Sequence, residues 1–239
     1  MRVMSYPIQI NAQNLLNAYK GGLFPMAEKA EDSHFYWIDP ELRGILPIND
    51  FHIPKKLKRQ VLKFPYEVKI NTGFEDVIEN CAVITDKRDE TWINEPIKEL
   101  FIDLHHLGHA HSVEAWDGNR LVGGLYGLAI GGAFFGESMF SHQSDASKMA
   151  LVHLVARLWH LGYELLDTQF TNPHLEQFGC LEIPRDLYKE KLAQALKKEC
   201  VFYSNSSDSI SSEAGAWGDD DSNIVVSFLA FLQSKTQTS

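Results

Sequence analysis

Glu137 is a single carboxylate inside the run Phe134-Phe135-Gly136-Glu137-Ser138-Met139-Phe140-Ser141, an otherwise apolar strand broken by one turn glycine. Burying even a neutral polar group without a partner costs on the order of 2–7 kcal/mol, so a carboxylate in this setting is expected to face a cleft. A second constellation lies in Glu164-Leu165-Leu166-Asp167-Thr168-Gln169-Phe170, a buried strand in which Asp167 and Gln169 stand two residues apart and project from one face. A hydrogen-bonded pair near the strand's end accounts for them as well as a catalytic role does. Joined to Glu137 on a neighbouring strand, they form three acceptor groups that can orient and deprotonate an amine.

Other polar clusters carry weaker chemistry. Ser147-Lys148 opens a helix, where free backbone N–H groups can hold an oxygen anion, although a capping role explains the serine on its own. His105, His106, His109 and His111 crowd one segment, yet no carboxylate shares a ligand spacing with them, and no metal is expected. Neither G-x-x-x-x-G-K-[ST] nor G-x-G-x-x-G occurs, which disfavours nucleotide triphosphate hydrolysis.

The 239 residues are 44% hydrophobic, enough for one domain of ordinary size with a smaller appendage. No secretory signal opens the chain, and the longest apolar run, Ile224 to Leu232, is too short to span a bilayer. Cys81, Cys180 and Cys200 have no paired spacing, so free thiols in a cytoplasmic setting are expected. A net charge of -10 argues against a general nucleic-acid binder and against DNA as a partner. The local exception is Lys55, Lys56, Lys58, Arg59 and Lys63, five cations in nine residues at helical spacings. Such a stripe is either a solvated helix face or the contact for a partner touched at one end only.

These groups must be positioned by an α+β chain with a mixed sheet. Helical spacing is expected over Asn11 to Tyr19, Lys55 to Leu62, Gly73 to Cys81, Pro96 to Leu107 and Arg185 to Lys197, with Tyr66 to Ile70 a strand. His111 to Trp116, Arg120 to Ile130 and Ala133 to Phe140 read as an antiparallel meander. An amphipathic helix follows, capped by Ser144 or Asp145 and carrying Leu151, Leu154, Val155, Leu158 and Trp159, before the Asp167 strand. The expected division is a small N-terminal domain over residues 1–45, a main domain over 46–203 and an acidic, serine-rich mobile tail over 204–239 that includes Asp219-Asp220-Asp221.

Taken in order, Phe24-Pro25, Trp37-Ile38-Asp39-Pro40, Thr91-Trp92-Ile93, Leu107 to Glu114, Gly123 to Gly127, Gly136 to Ser141, Ala146-Ser147-Lys148 and Leu166 to Gln169 resemble the leucyl/phenylalanyl-tRNA–protein transferases. The resemblance covers roughly residues 14 to 196. It implies a small N-terminal domain on an acetyltransferase-like (GNAT) domain. It also implies transfer of leucine or phenylalanine, with methionine accepted too, from aminoacyl-tRNA to a protein beginning with arginine or lysine, which marks that protein for degradation. No cofactor is implied, because the donor ester is already activated.

Carried over by the resemblance, Asp167 and Gln169 are the catalytic pair, and Glu137 binds the donor's terminal adenosine or the reacting groups. Trp92 is the wall on which the adenine stacks. Phe134, Met139, Leu125, Leu151 and Leu166 line the donor side-chain pocket, although each taken singly fits ordinary core. The stripe from Lys55 to Lys63 matches the contact with the tRNA acceptor stem. Met26 stands where the family has a tryptophan, removing one aromatic face, and the segment before the first helix is shorter than usual. Two alternatives differ in class: an acyl-coenzyme A N-acetyltransferase, for which Phe140 to Ser144 supplies no glycine-rich pyrophosphate loop, and a non-catalytic tRNA or N-terminus binding module.

Overall fold

A computed structural model of the chain describes residues 2–4, 10–84, 90–203 and 221–235. Three short strands, β1 (Arg2–Met4), β2 (Phe24–Met26) and β3 (Tyr36–Asp39), form a small antiparallel sheet in the order β1-β3-β2. Helix α1 (Ala12–Lys20) precedes β2 and starts where the Asn11 side chain accepts the Asn14 N–H at 2.9 Å, satisfying one of the otherwise free donors of the first turn. Its Leu15, Leu16 and Tyr19 are buried.

The larger sheet is built from β4 (Leu42–Ile45), β5 (Glu67–Ile70), β6 (Ala110–Asp117), β7 (Arg120–Ile130), β8 (Ala133–Ser141), β9 (Leu165–Gln169) and β10 (Leu181–Pro184). Its order is β10-β4-β9-β8-β7-β6-β5, and only β8 and β9 run parallel. The expected meander is β6-β7-β8. Because a parallel neighbour requires a crossover, α5 (Ala146–His160) connects β8 to β9. The remaining helices are α2 (Lys55–Val61), α3 (Phe74–Ala82), α4 (Glu95–His106), the short α6 (Pro173–Glu176), α7 (Arg185–Ala195) and α8 (Asp221–Ser234). Residues of α1, α3, α4 and α7 form one apolar core against the larger sheet, and those of α2, α5 and α8 form another. The α+β class and the mixed sheet are those expected.

Several local expectations change. The stretch Leu42–Ile45 pairs between β10 and β9, so it is part of the larger sheet. Asp145 occupies the cap position of α5, but in a left-handed conformation (φ 62) with no capping bond from its side chain; its carboxylate pairs with Lys148 at 2.8 Å instead. Helix α5 is not amphipathic in use. Met149, Ala150, Val152, His153 and Ala156 are buried along with the expected face, because α8 covers the side turned away from the sheet. The tail accordingly contains α8, with Phe228 stacked on His153 at 4.2 Å and Phe231 5.8 Å from Trp159. The serine-rich and acidic stretch from 204 to 220, Asp219 and Asp220 included, lies outside the described residues.

Candidate active site

Two irregularities in neighbouring strands create the site. In the pairing of β7 with β8, Tyr126 faces Ser138 and Gly127 faces Gly136, which leaves Glu137 as the extra residue of a bulge. In the pairing of β4 with β9, Gly44 faces Gln169 and Ile45 faces Asp167, so Thr168 is the extra residue there. A bulge bends its strand and re-aims a side chain. Both need a glycine opposite. A Cβ on Gly127 would lie 2.3 Å from the Phe135 carbonyl oxygen, and one on Gly44 would lie 2.5 Å from the Phe170 backbone. The parallel pairing of β8 with β9 ends at Phe135 and Asp167, after which the strands part.

The opening holds an apolar cavity of about 280 Å³ lined by Trp92, Leu125, Met139, Leu151 and Leu166, with Glu137 on its wall. A second chamber of about 180 Å³ is lined by Phe24, Met26, Phe170 and Gln169. Trp92, Glu137, Thr168 and Asn172 line both.

Glu137 Oε1 accepts hydrogen bonds from the Tyr19 hydroxyl at 2.8 Å and from Gln169 Nε2 at 3.1 Å. Its Oε2 is buried and has no partner among the described residues. Burial pushes the Glu137 carboxyl up to about 8, against the opposing pull of the Tyr19 hydroxyl. Burial, reinforced by the Glu137 charge, holds the Tyr19 phenol well above its ordinary range. The Glu137 carboxyl, unlike the phenol, is thereby brought into the range in which a general acid or base works.

Asp167 lies behind that pair. It lines neither chamber and is fully buried. Arg43 donates to it through Nε at 2.9 Å and Nη2 at 2.7 Å, and the Tyr188 hydroxyl donates at 2.6 Å. Asp167 Oδ1 in turn accepts the backbone N–H of Gln169 at 2.8 Å. Gln169 has φ 57, the left-handed region that a residue with a Cβ enters at a cost of roughly 1–3 kcal/mol.

The structure thus brings Asp167, Gln169 and Glu137 together, and it sets Trp92, Leu125, Met139, Leu151, Leu166 and Met26 around them. Phe134 does not join the lining. Its ring stays in the core, 5.0 Å from Phe202 and beneath Gly127, although its strand partner Leu166 reaches the cavity. Lys55, Lys56, Arg59 and Lys63 are exposed along and just after α2. Lys58 is not, since its Nζ donates to the Leu232 carbonyl near the end of α8 and burial lowers its pKa. Of the clustered histidines, His105 stacks on Phe74 at 4.2 Å, and His111 meets Asn71 at 3.0 Å. Ser147 donates its backbone N–H to the Ser141 hydroxyl at 3.2 Å.

Three partners escaped the sequence reading, namely Tyr19, Arg43 and Tyr188. The two tyrosines sit on apolar helix faces and read as core. Arg43 carried a usable signal: a lone cation in Leu42-Arg43-Gly44-Ile45-Leu46 is the counterpart of the lone carboxylate in β8.

A mixed sheet whose parting strands open an apolar cavity onto a buried carboxylate and an amide suits a transferase of acyl groups. The model of the leucyl/phenylalanyl-tRNA protein transferase family matches residues 45–193, and the model of that family's N-terminal domain matches residues 9–41. The leucyl/phenylalanyl-tRNA–protein transferase of Hyphomonas neptunium is 56% identical over 194 residues, 81% of this chain and 75% of that protein. Those of Paramagnetospirillum magneticum (54% over 196 residues, 82% and 94%) and Caulobacter vibrioides (57% over 190 residues, 80% and 88%) are similar to the same degree. The chain belongs to the leucyl/phenylalanyl-tRNA–protein transferase family and is an aminoacyltransferase. Among the described residues, no helix is long and apolar enough to cross a membrane.

Proposed function

We propose that this protein moves leucine or phenylalanine, with methionine as a further donor, from aminoacyl-tRNA to the α-amino group of cytoplasmic proteins that begin with arginine or lysine, creating a degradation signal. The observation that carries the reading is the open Oε2 of Glu137, next to Gln169, at the wall of an apolar cavity. In the reaction the acceptor amine nitrogen forms a bond to the donor carbonyl carbon, the ester bond to the ribose oxygen breaks, and the amine's proton ends on that oxygen. The ester is already activated, so the enzyme's share is positioning and charge stabilisation; positioning alone can contribute ~7–11 kcal/mol of the barrier.

In this reading the donor side chain fills the cavity between Leu125, Met139, Leu151 and Leu166. The terminal adenine stacks on Trp92 in the chamber that Met26 and Phe170 share, a contact worth ~1–3 kcal/mol per base. Gln169 orients the amine and the ester, and Glu137 handles the proton. Lys55, Lys56, Arg59 and Lys63 meet phosphates of the acceptor stem, which need charge but little base reading. The acidic remainder of a chain whose net charge is -10 favours an acceptor with a cationic N-terminus.

The test incubates the protein with radiolabelled Leu-tRNA and a peptide beginning with arginine, beside Gln169→Ala and Glu137→Ala. Label is expected in the peptide with the unaltered protein and much less with either variant. Absence of label at every tRNA concentration overturns the reading.

A further inference from the structure

Arg43 is a buried cation with a hydrogen-bond partner on each of its three nitrogens, and it lines neither chamber. Its guanidinium lies between the rings of Phe24 and Tyr188, 4.5 Å from each centroid. Nη1 donates to the Gly22 carbonyl at 3.0 Å, while Nε and Nη2 grip both oxygens of Asp167. That fork leaves Asp167 Oδ1 placed to accept the Gln169 N–H at 2.8 Å. The same strand that carries Arg43 pairs with β9 at Gly44 and Gln169, so the guanidinium and the left-handed residue are fixed by one pair of strands.

From this geometry we infer that Arg43 is a positioning residue: through Asp167 it holds the Gln169 backbone in its left-handed turn and so aims the amide that meets Glu137. The inference rests on the proposed function, in which Gln169 orients the reacting groups. Lysine cannot replace arginine here. It is a point charge without the fork that spans two carboxylate oxygens, and the peptide of Gln169 would lose its anchor on Oδ1. Tyr188 supports the same carboxylate from the other side with a single hydroxyl.

A double-mutant cycle separates positioning from bracing of the fold, because residues that act through one another are non-additive whereas independent ones add. Transfer at saturating donor is measured for the unaltered protein, Arg43→Lys, Gln169→Ala and the double variant. Arg43→Lys is expected to lower kcat by roughly 10²-fold, the scale of an ångström-sized misplacement, and to cost nothing further when Gln169 is already alanine. Additive losses overturn the inference while leaving the function intact. Absence of transfer by the unaltered protein overturns the functional reading and the inference with it. Should Arg43→Lys fail to fold, Tyr188→Phe keeps the ring over the guanidinium and removes only the 2.6 Å donor. It is expected to give a smaller loss with the same non-additive pattern, and an additive loss or none overturns the inference.

Discussion

The Tyr19 hydroxyl donates to Glu137 Oε1 at 2.8 Å across 118 positions of sequence, joining the end of α1 to the bulged residue of β8. One oxygen of the carboxylate is thereby committed to the protein, and the other is left for whatever enters the cavity. The small N-terminal part of the chain thus completes the site rather than merely flanking it.

Stability is expected to depend on pH through Glu137. Folded, the group keeps its proton up to about 8, whereas the unfolded chain releases it near the ordinary value of 4.5. Between those values the folded state binds more protons, so stability is highest at the acidic end, falls as pH rises through the window and levels off above it. Glu137→Gln is neutral throughout. Urea unfolding of the two proteins from pH 5 to 9 should therefore show the wild type losing stability relative to the variant as pH rises, and a constant difference would contradict the assignment.

Donor choice should respond to the volume of the cavity. Leu151→Phe narrows it, and phenylalanine should lose kcat/KM more than leucine does. Discrimination by a few carbons in an apolar pocket is worth ~1–3 kcal/mol, so competition between the two aminoacyl-tRNAs should shift by about tenfold or more. An unchanged ratio would place the donor side chain elsewhere.

The basic stripe divides into two functions. Reversal of Lys55, Arg59 and Lys63 to glutamate is expected to weaken aminoacyl-tRNA binding and to flatten its dependence on salt, since each phosphate contact releases counterions. Lys58→Glu should instead loosen α8, because the Nζ of Lys58 is engaged by the Leu232 carbonyl. Filter binding across a salt series, with hydrogen exchange on the same variants, tests this division.

Helix α8 should behave as a docked unit. Phe231 packs 6.2 Å from Phe51 and 5.8 Å from Trp159, and Phe231→Ala is expected to weaken that docking by about 3–5 kcal/mol. Amide exchange should accelerate across residues 228–235 while β8 and β9 stay protected. Equal protection in both proteins would mean that the helix contributes nothing to covering α5.

Much of this was legible in local pattern. The lone carboxylate in an apolar strand, the polar pair two residues apart in another, and the apolar stripes of α1, α3 and α4 all act over a few residues, where spacing maps directly onto a face. The two-sided burial of α5 was missed by the amphipathic reading, although Met149, Ala150, Val152 and Ala156 leave it little polar face. That pattern implies a cover, which α8 supplies.

What local pattern could not reach was register and long-range pairing. The resemblance put Phe134 in the pocket, but its ring packs against Phe202 beneath Gly127, and the bulge at Glu137 forms where Gly127 lets the neighbouring backbone close in. Arg43 and Asp167 lie 124 positions apart on neighbouring strands, and Tyr188 reaches the same carboxylate from helix α7. The sequence by itself determined most of the elements and the polar groups at the centre of the site, and through its family motifs the class of chemistry, because side-chain type and spacing are local properties. Only the tertiary structure decided which groups meet the substrate and which hold them there, because a buried charge chooses its partner by whatever the packed fold leaves within hydrogen-bonding distance.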